Sequence, residues 1–248
     1  MYYLLTSTFN KKVYWKNCIP IEAGSQRRDT HIYETRDNVG DNISDLNPWF
    51  GELTVLYWIW KNFSYTNDDI IGFAHWNKRL KISESNVKKI IESDSKKWVI
   101  SEGFSLVKHD YPSDIVTLGE VLKKSYPDYY KSFQRLYNSD GSTLKNRNNC
   151  TGQMFFTSGE QFKKYCDFLF AVLFDVFEKV GKVDRPAYHK RYLAFLGERL
   201  LAVYLDCNSI PCIEVKSLYA NSGIFMRILK KLFPSVRKKY ECSSSYID

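Results

Sequence analysis

The chain predicts an α/β fold. Short apolar runs alternate with longer segments of helical periodicity along its length, the pattern of helices wrapped around a sheet. Two observations sharpen that expectation. An apolar run begins at Tyr2, and another, over 69–74, stops at a group of nitrogen-bearing side chains: His75, Asn77, Lys78 and Arg79. Ligands of open α/β sheets sit beyond the carboxyl ends of strands, so charge at the end of such a run has a meaning that the same charge elsewhere lacks.

The elements follow in order. Residues 2–7 read as a buried strand. A polar stretch with Lys11, Lys12 and Lys16 separates it from a second extended piece near 18–23. Residues 24–48 are polar and turn-rich, and a loop this long in a compact domain is usually functional or disordered. Asn47 is expected as an N-cap and Pro48 in the first turn of a helix over 49–62, where Leu53, Leu56, Trp60 and Phe63 recur at helical spacing. After the strand at 69–74, a helix is expected over 84–93 and a strand over 98–101. Residues 110–114 read as a turn, and 117–124 and 128–137 as helices parted by Pro127. An Asn-, Ser- and Gly-rich loop covers 138–149. A strand over 153–157, a long apolar helix over 160–180, a turn over 181–186 and a helix over 189–205 complete the body. A last strand over 209–215 contains Pro211, which confines it to a sheet edge.

The tail differs. Between 223 and 240, Ile224, Ile228, Leu229, Leu232 and Val236 share one face, surrounded by Arg227, Lys230, Lys231, Arg237, Lys238 and Lys239. An interfacial amphipathic helix has this pattern, and so has a helix docked on the core with a solvated basic face. Pro234 breaks or kinks it near the middle. The expected division is a domain over 1–206 and a C-terminal extension over 207–248.

Composition narrows the classes. With 248 residues, 44% hydrophobic and 26% charged, the chain can bury a real core. A net charge of +8 favours polyanionic partners: nucleic acid, anionic lipid or phosphorylated ligands. Much of that charge lies near the C-terminus, which weakens the nucleic-acid reading for the domain body. The six cysteines never occur at the two-residue spacing of a zinc knuckle or a thioredoxin-like motif. The start, Tyr2-Tyr3-Leu4-Leu5, has no charged n-region and predicts no signal peptide. No apolar run reaches the roughly 18 residues that span a bilayer. A cytosolic chain with reduced thiols is the expectation. Walker, Gly-x-Gly-x-x-Gly, His-Glu-x-x-His and Gly-x-Ser-x-Gly motifs are all missing from the sequence.

Five groups of residues could carry chemistry. His75, Asn77, Lys78 and Arg79 suit an anion, with a nucleotide diphosphate as the first candidate. Many sugar transferases place two metal-holding carboxylates at such a point. Here Lys78 and the planar fork of Arg79 could neutralise phosphate directly, which predicts stabilisation of the leaving group without a metal. The alternative is a solvated basic turn. Glu52 could accept from a ribose or sugar hydroxyl, and Tyr57 or Trp58 could pack on a ring, although an amphipathic helix with a charged rim looks the same. Asp37, Asn38, Asp41 and Asn42 are either ligands or turn formers that bond their own backbone. Asn149, Gly152 and Met154 lead into a strand where glycine lets a ligand approach closely; an ordinary junction reads alike. Glu198, beside Arg199, is the candidate base for an acceptor hydroxyl. Asp37, Asp41 and Glu52 compete for that role, and a surface salt bridge is the plainer alternative.

Several blocks recur together: Asp41-Asn42-Ile43-Ser44, Asn47, Glu52-Leu53-Thr54, Tyr57-Trp58, Trp60-Lys61-Asn62, Gly72 and His75, then Met154, Tyr165-Cys166, Leu169-Phe170 and Glu198-Arg199-Leu200. In this order, over residues 1–206, the chain resembles a bacterial family of polysaccharide glycosyltransferases from O-antigen and capsule gene clusters, some of them galactofuranosyltransferases. It departs at one point: the family's His-Tyr-Arg-Arg is His75-Trp76-Asn77-Lys78 here, with Arg79 one residue later.

The resemblance implies a single-domain GT-A-like nucleotide-sugar-binding fold, a mixed central sheet flanked by helices, with the basic amphipathic helix appended. It implies a UDP-sugar donor, galactose or galactofuranose, and a lipid-linked or growing surface polysaccharide as acceptor. Thr6 and Ser7 would lie near the base or ribose. Asp37, Asn38, Asn42, Glu52, Tyr57, His75, Asn77, Lys78 and Arg79 would complete the donor site, and Asn149, Gly152 and Met154 would face the acceptor. Glu198 and Asp41 are the expected catalytic carboxylates. No metal or other cofactor and no nucleic acid are expected. The protein is expected in the cytoplasm, at the inner face of the membrane, with 223–240 against anionic lipid. A nucleic-acid-binding protein and a non-catalytic glycan-binding scaffold are the rival readings.

Overall fold

The computed structural model describes residues 1–9, 13, 17–103, 111–144 and 153–219. The tail helix expected at 223–240 lies outside them. Among the described residues an eight-stranded sheet is built from β1 (Tyr2–Thr8), β2 (Ile19–Glu22), β3 (Ile70–His75), β4 (Lys78–Leu80), β5 (Trp98–Ser101), β6 (Phe155–Ser158), β7 (Cys212–Val215) and β8 (Ser217–Tyr219). The strand order is β2-β1-β3-β6-β5-β7, with β4 paired to β3 and β8. The sheet is mixed. β1 runs parallel to β2 and β3, and β5 to β7, whereas β6 is antiparallel to both β3 and β5.

Helices cover both faces. One face carries α1 (Asn47–Phe50), α2 (Leu53–Asn62), α4 (Pro112–Ser125), α5 (Pro127–Leu136), α6 (Gly159–Val180), α7 (Ala187–Lys190) and α8 (Tyr192–Cys207); the other carries α3 (Glu84–Ser93). α6 is the spine of the larger core. Ser158 caps its first turn by accepting from the Gln161 amide, and Gly181, at φ 72°, ends it. Its buried stripe of Phe162, Tyr165, Leu169, Phe170, Leu173 and Val176 follows the helical period. Each Leu or Phe taken fully out of water there stabilises the fold by about 1.5–3 kcal/mol. Trp60 of α2 stacks on Phe170 with centroids 5.5 Å apart.

Several sequence expectations shift. The helix expected over 49–62 is two helices, broken where Gly51 adopts φ +55°. Any side chain would be strained in that conformation. Its absent Cβ also lets α8 approach: a Cβ on Gly51 would lie 3.2 Å from that of Ala194. Asn47 is not the N-cap. It lies inside α1, and its side chain donates to the Gly51 carbonyl and to Thr54 Oγ1. α4 begins at Pro112, because proline suits a first helical turn. Domain and extension do not part at 206, since β7 and β8 complete the sheet out to Tyr219. Pro211 precedes β7, the edge strand, where its carbonyl accepts from Trp98 N.

β1 and β3 form the topological switch. From β1 the chain passes to β2 on one side, then returns through α1 and α2 to β3 on the other. In such sheets the crevice beyond the carboxyl ends of the two diverging strands is the ligand site. Ser7 and His75 are register partners at those ends.

Candidate active site

A cleft of about 270 Å³ opens at the switch point. Ser7, Phe9 and His75 line it from the strand ends, Asn47, Pro48, Gly51 and Glu52 from the α1–α2 junction, and Ala187, Lys190 and Arg191 from the α7–α8 junction. Phe9 stands half-exposed at its mouth, with Trp76 edge-on 5.8 Å away.

The charges converge from distant parts of the chain. Arg191 Nη2 lies 3.8 Å from Glu52 Oε2. Burial works against ionisation of Glu52, but Arg191, His75, its own backbone N–H and Lys78 outweigh it and hold the carboxyl below the usual range. Glu198 goes the other way. Burial and the Glu52 carboxylate push it up, against the pull of Lys78, Arg191 and Arg199. Two carboxyl groups in one field, moved in opposite directions, is the arrangement that separates an ionised group from a proton carrier. Gly197 makes this meeting possible: a Cβ there would lie 3.0 Å from Leu53 Cδ1 and 3.1 Å from Gln153 Nε2. α2 and α8 touch at that position, with Glu52 and Glu198 one residue away on each.

Glu198 and Arg199 are not a surface pair. Arg199 is buried, and its guanidinium donates to the carbonyls of Gly141 and Phe195. It fastens the 138–144 loop to α8, while Glu198, half-buried one residue earlier, lies in the field of Glu52, Lys78 and Arg191.

The β3–β4 hairpin revises the basic cluster. His75 pairs with Lys78 across a two-residue turn of Trp76 and Asn77, so those partners share a face. Lys78 accordingly acts on Glu52 and Glu198. Arg79 alternates to the other face, where its charge acts on Tyr2, a ring stacked on Phe156. Lys78 and Arg79 therefore do not form a joint fork. Asn77 sits half-buried in the turn.

Other expected ligands have different work. Asp37 is fully buried, and its carboxylate accepts from Gly24 N, Ser25 N, Ser44 Oγ and Thr54 Oγ1 at 2.6–3.0 Å. It folds the 24–47 loop onto α2 and offers nothing to a ligand. Asn38, half-buried beside it with Oδ1 shielded from solvent, does not line the cleft. Asn42 closes a local turn, donating to Gly40 O and accepting from Ser44 N. Asp41 is exposed and bound to the far half of α2, where it accepts from Tyr57 Oη at 3.0 Å and its backbone pairs with the Asn62 amide. Ten residues of helix at about 1.5 Å each separate Asn62 from Glu52, which removes Asp41 from the catalytic position. Tyr57 is buried against Phe170 and Phe174, its hydroxyl pushed up to about 12 by burial and Asp41. Thr6 points into the sheet beside the Cys18 thiol, while Ser7, its neighbour, faces the cleft. Met154 belongs to the core under α3, not to an acceptor surface. Asn149 and Gly152 lie outside the described residues.

Sequence reasoning missed Lys190 and Arg191. A signal was present: basic residues at the start of a helix oppose its macrodipole. Such a doublet ahead of α8 implies a compensating anion, and Glu52 is one.

The architecture thus defines an α/β protein with a charged cleft at a sheet switch point. Residues 7–209 match the family described as "Domain of unknown function (DUF4422)", and the chain belongs to that family. No curated protein matches it. Among solved structures, the apo structure of the WbbM bifunctional glycosyltransferase shares its fold, with a TM-score of 0.75 over 89% of this chain at 18% identity. The chain covers 45% of that protein, less than half its length.

Proposed function

We propose that the protein is a glycosyltransferase of polysaccharide synthesis that takes a sugar from a nucleotide donor. The observation that carries this reading is the cleft itself. Lys190, Arg191 and Glu52 line a strand-end crevice, with Lys78 and Glu198 within electrostatic reach of Glu52, in a fold shared with a glycosyltransferase. In the proposed reaction the donor diphosphate lies against Arg191, Lys190 and Lys78, with Ser7 and His75 beneath it and Phe9 beside the base. Arginine presents a planar fork to phosphate oxygens and lysine a point charge. Their role is to stabilise the negative charge that grows on the leaving diphosphate, and no metal is required for it. Glu198 takes the proton of the acceptor hydroxyl as the new glycosidic bond forms. A carboxyl with a raised pKa suits a base that works near neutral pH.

A UDP donor carrying galactose or galactofuranose, and a lipid-linked or growing O-antigen or capsule chain as acceptor, complete the proposal. No described helix is long and apolar enough to cross a membrane. Attachment to the inner membrane face would rest on the basic segment 223–240, which suits anionic lipid.

The test is transfer from UDP-galactose and UDP-galactofuranose to a lipid-linked glycan in excess chelator. Turnover is expected. Complete loss, restored by manganese, contradicts the metal-free mechanism; no transfer and no UDP binding under any condition contradict the transferase.

A further inference from the structure

Glu52 is an odd residue to find in an anion site. It is buried, it borders the same cleft as Lys190 and Arg191, and its carboxylate faces the guanidinium that a diphosphate would need. Their separation of 3.8 Å is long for a charged hydrogen bond, which closes to about 2.7–2.9 Å when both partners are committed. The Arg191 guanidinium also stands over the rings of Tyr188 and Phe195, 5.7 and 5.3 Å from its central carbon. At that separation the pair is not locked by its own geometry, so a diphosphate can take the place of Glu52 at the guanidinium.

We propose that Glu52 is a resident counter-anion that competes with diphosphate for Arg191 and drives the spent nucleoside diphosphate out of the cleft. This rests on reading the cleft as the diphosphate site. With the cleft empty, Glu52 neutralises Arg191. When a donor arrives, its diphosphate takes the guanidinium, and Glu52 stays behind as a like charge at short range. A sugar bound beyond the diphosphate adds contacts that offset this repulsion. The product lacks the sugar, so the carboxylate reclaims Arg191 and the product leaves. Glu52 thereby lowers affinity for donor and bare diphosphate alike, and the bare diphosphate, with no sugar contacts to offset the loss, is the one left weakly held.

The experiment is calorimetric titration of inorganic pyrophosphate and of UDP into the wild type, Glu52→Gln, Arg191→Gln and the double variant. Glu52→Gln keeps the shape and removes the charge. It is expected to bind pyrophosphate about tenfold tighter, the scale of one like charge removed from a partly solvated site. Arg191→Gln weakens binding by a similar factor, and in that background Glu52→Gln brings no gain, because the contested partner is gone. In transfer assays UDP becomes a correspondingly stronger product inhibitor of Glu52→Gln. Unchanged or weaker pyrophosphate binding by Glu52→Gln overturns the proposal, as does an equal gain with and without Arg191, or no pyrophosphate binding by any of the four proteins. Should Glu52→Gln fail to fold, Glu52→Asp withdraws the charge by one methylene and is expected to tighten pyrophosphate by a smaller factor; no tightening overturns the proposal equally. Failure of the transferase reading looks different: pyrophosphate responds as stated, yet no UDP-sugar is turned over.

Discussion

Around Asp37 every contact is short and every lone pair is in use: four donors at 2.6–3.0 Å, no exposure, and a loop sewn to α2. Around Glu52, fifteen residues further on, the nearest cation among the described residues is 3.8 Å away, and Lys190 leans on Asp184, which is fully exposed. The two carboxylates are neighbours in space as well, because Thr54, which donates to Asp37, lies in the first turn that Glu52 begins. One region is a clasp and the other a cleft. A clasp holds its geometry by leaving its charge nothing further to bond. A cleft keeps charges near one another without committing them, so that a ligand can exchange with them.

Substitutions should separate the two regions. The largest effect is expected from Asp37→Ala, which strands four buried donors. Breaking a buried charged network costs about 3–5 kcal/mol, so the urea midpoint should fall steeply. A variant of full stability that had lost only UDP affinity would move Asp37 into the cleft and erase the contrast. Next comes Glu198→Gln, where stability should hold while kcat falls at least about a hundredfold, the lower range for loss of a general base. The wild-type pH profile should agree. The ionised form is the base, and burial together with Glu52 raises the pKa, so kcat should climb with pH through a limb above the ordinary carboxylate value of 4.5. A flat profile down to that value would exclude Glu198 from the proton transfer.

Adjacent residues of the hairpin supply a finer test. Lys78→Ala should weaken UDP-sugar binding by about 2 kcal/mol, within the range for one charged hydrogen bond, whereas Arg79→Ala should leave it within about twofold. Equal losses would put both side chains on one face and contradict the register. The smallest effect is expected of Asp41→Asn, which keeps an acceptor for Tyr57: stability within about 0.5 kcal/mol and unchanged transfer. A large loss of kcat there would return Asp41 to the chemistry.

The sequence revealed the fold more fully than the site, and particular residues show why. Alternating apolar runs report burial directly, so the strand from Tyr2, the strand before His75 and the long helix to Val180 could be read locally. Glu52 and His75 were legible as cleft residues because each sits at the end of a recognisable element, and Ser7 through the family resemblance. Asp37 and Asn42 misled, because a side chain that bonds a loop's own backbone has the composition of one that binds a ligand. Arg79 misled because a two-residue hairpin, invisible in composition, turned it to the opposite face. Arg191 stayed hidden because only the packing of α8 against Gly51 and Leu53 brings it to Glu52, from 139 positions away in the chain.

A crystal structure with bound UDP tests the central claim most directly. The account predicts the diphosphate in the crevice between the ends of β1 and β3, with phosphate oxygens on Arg191 and Lys78 and the Glu52 carboxylate displaced from the guanidinium. Phosphates bound elsewhere, with Glu52 and Arg191 still paired, would contradict it.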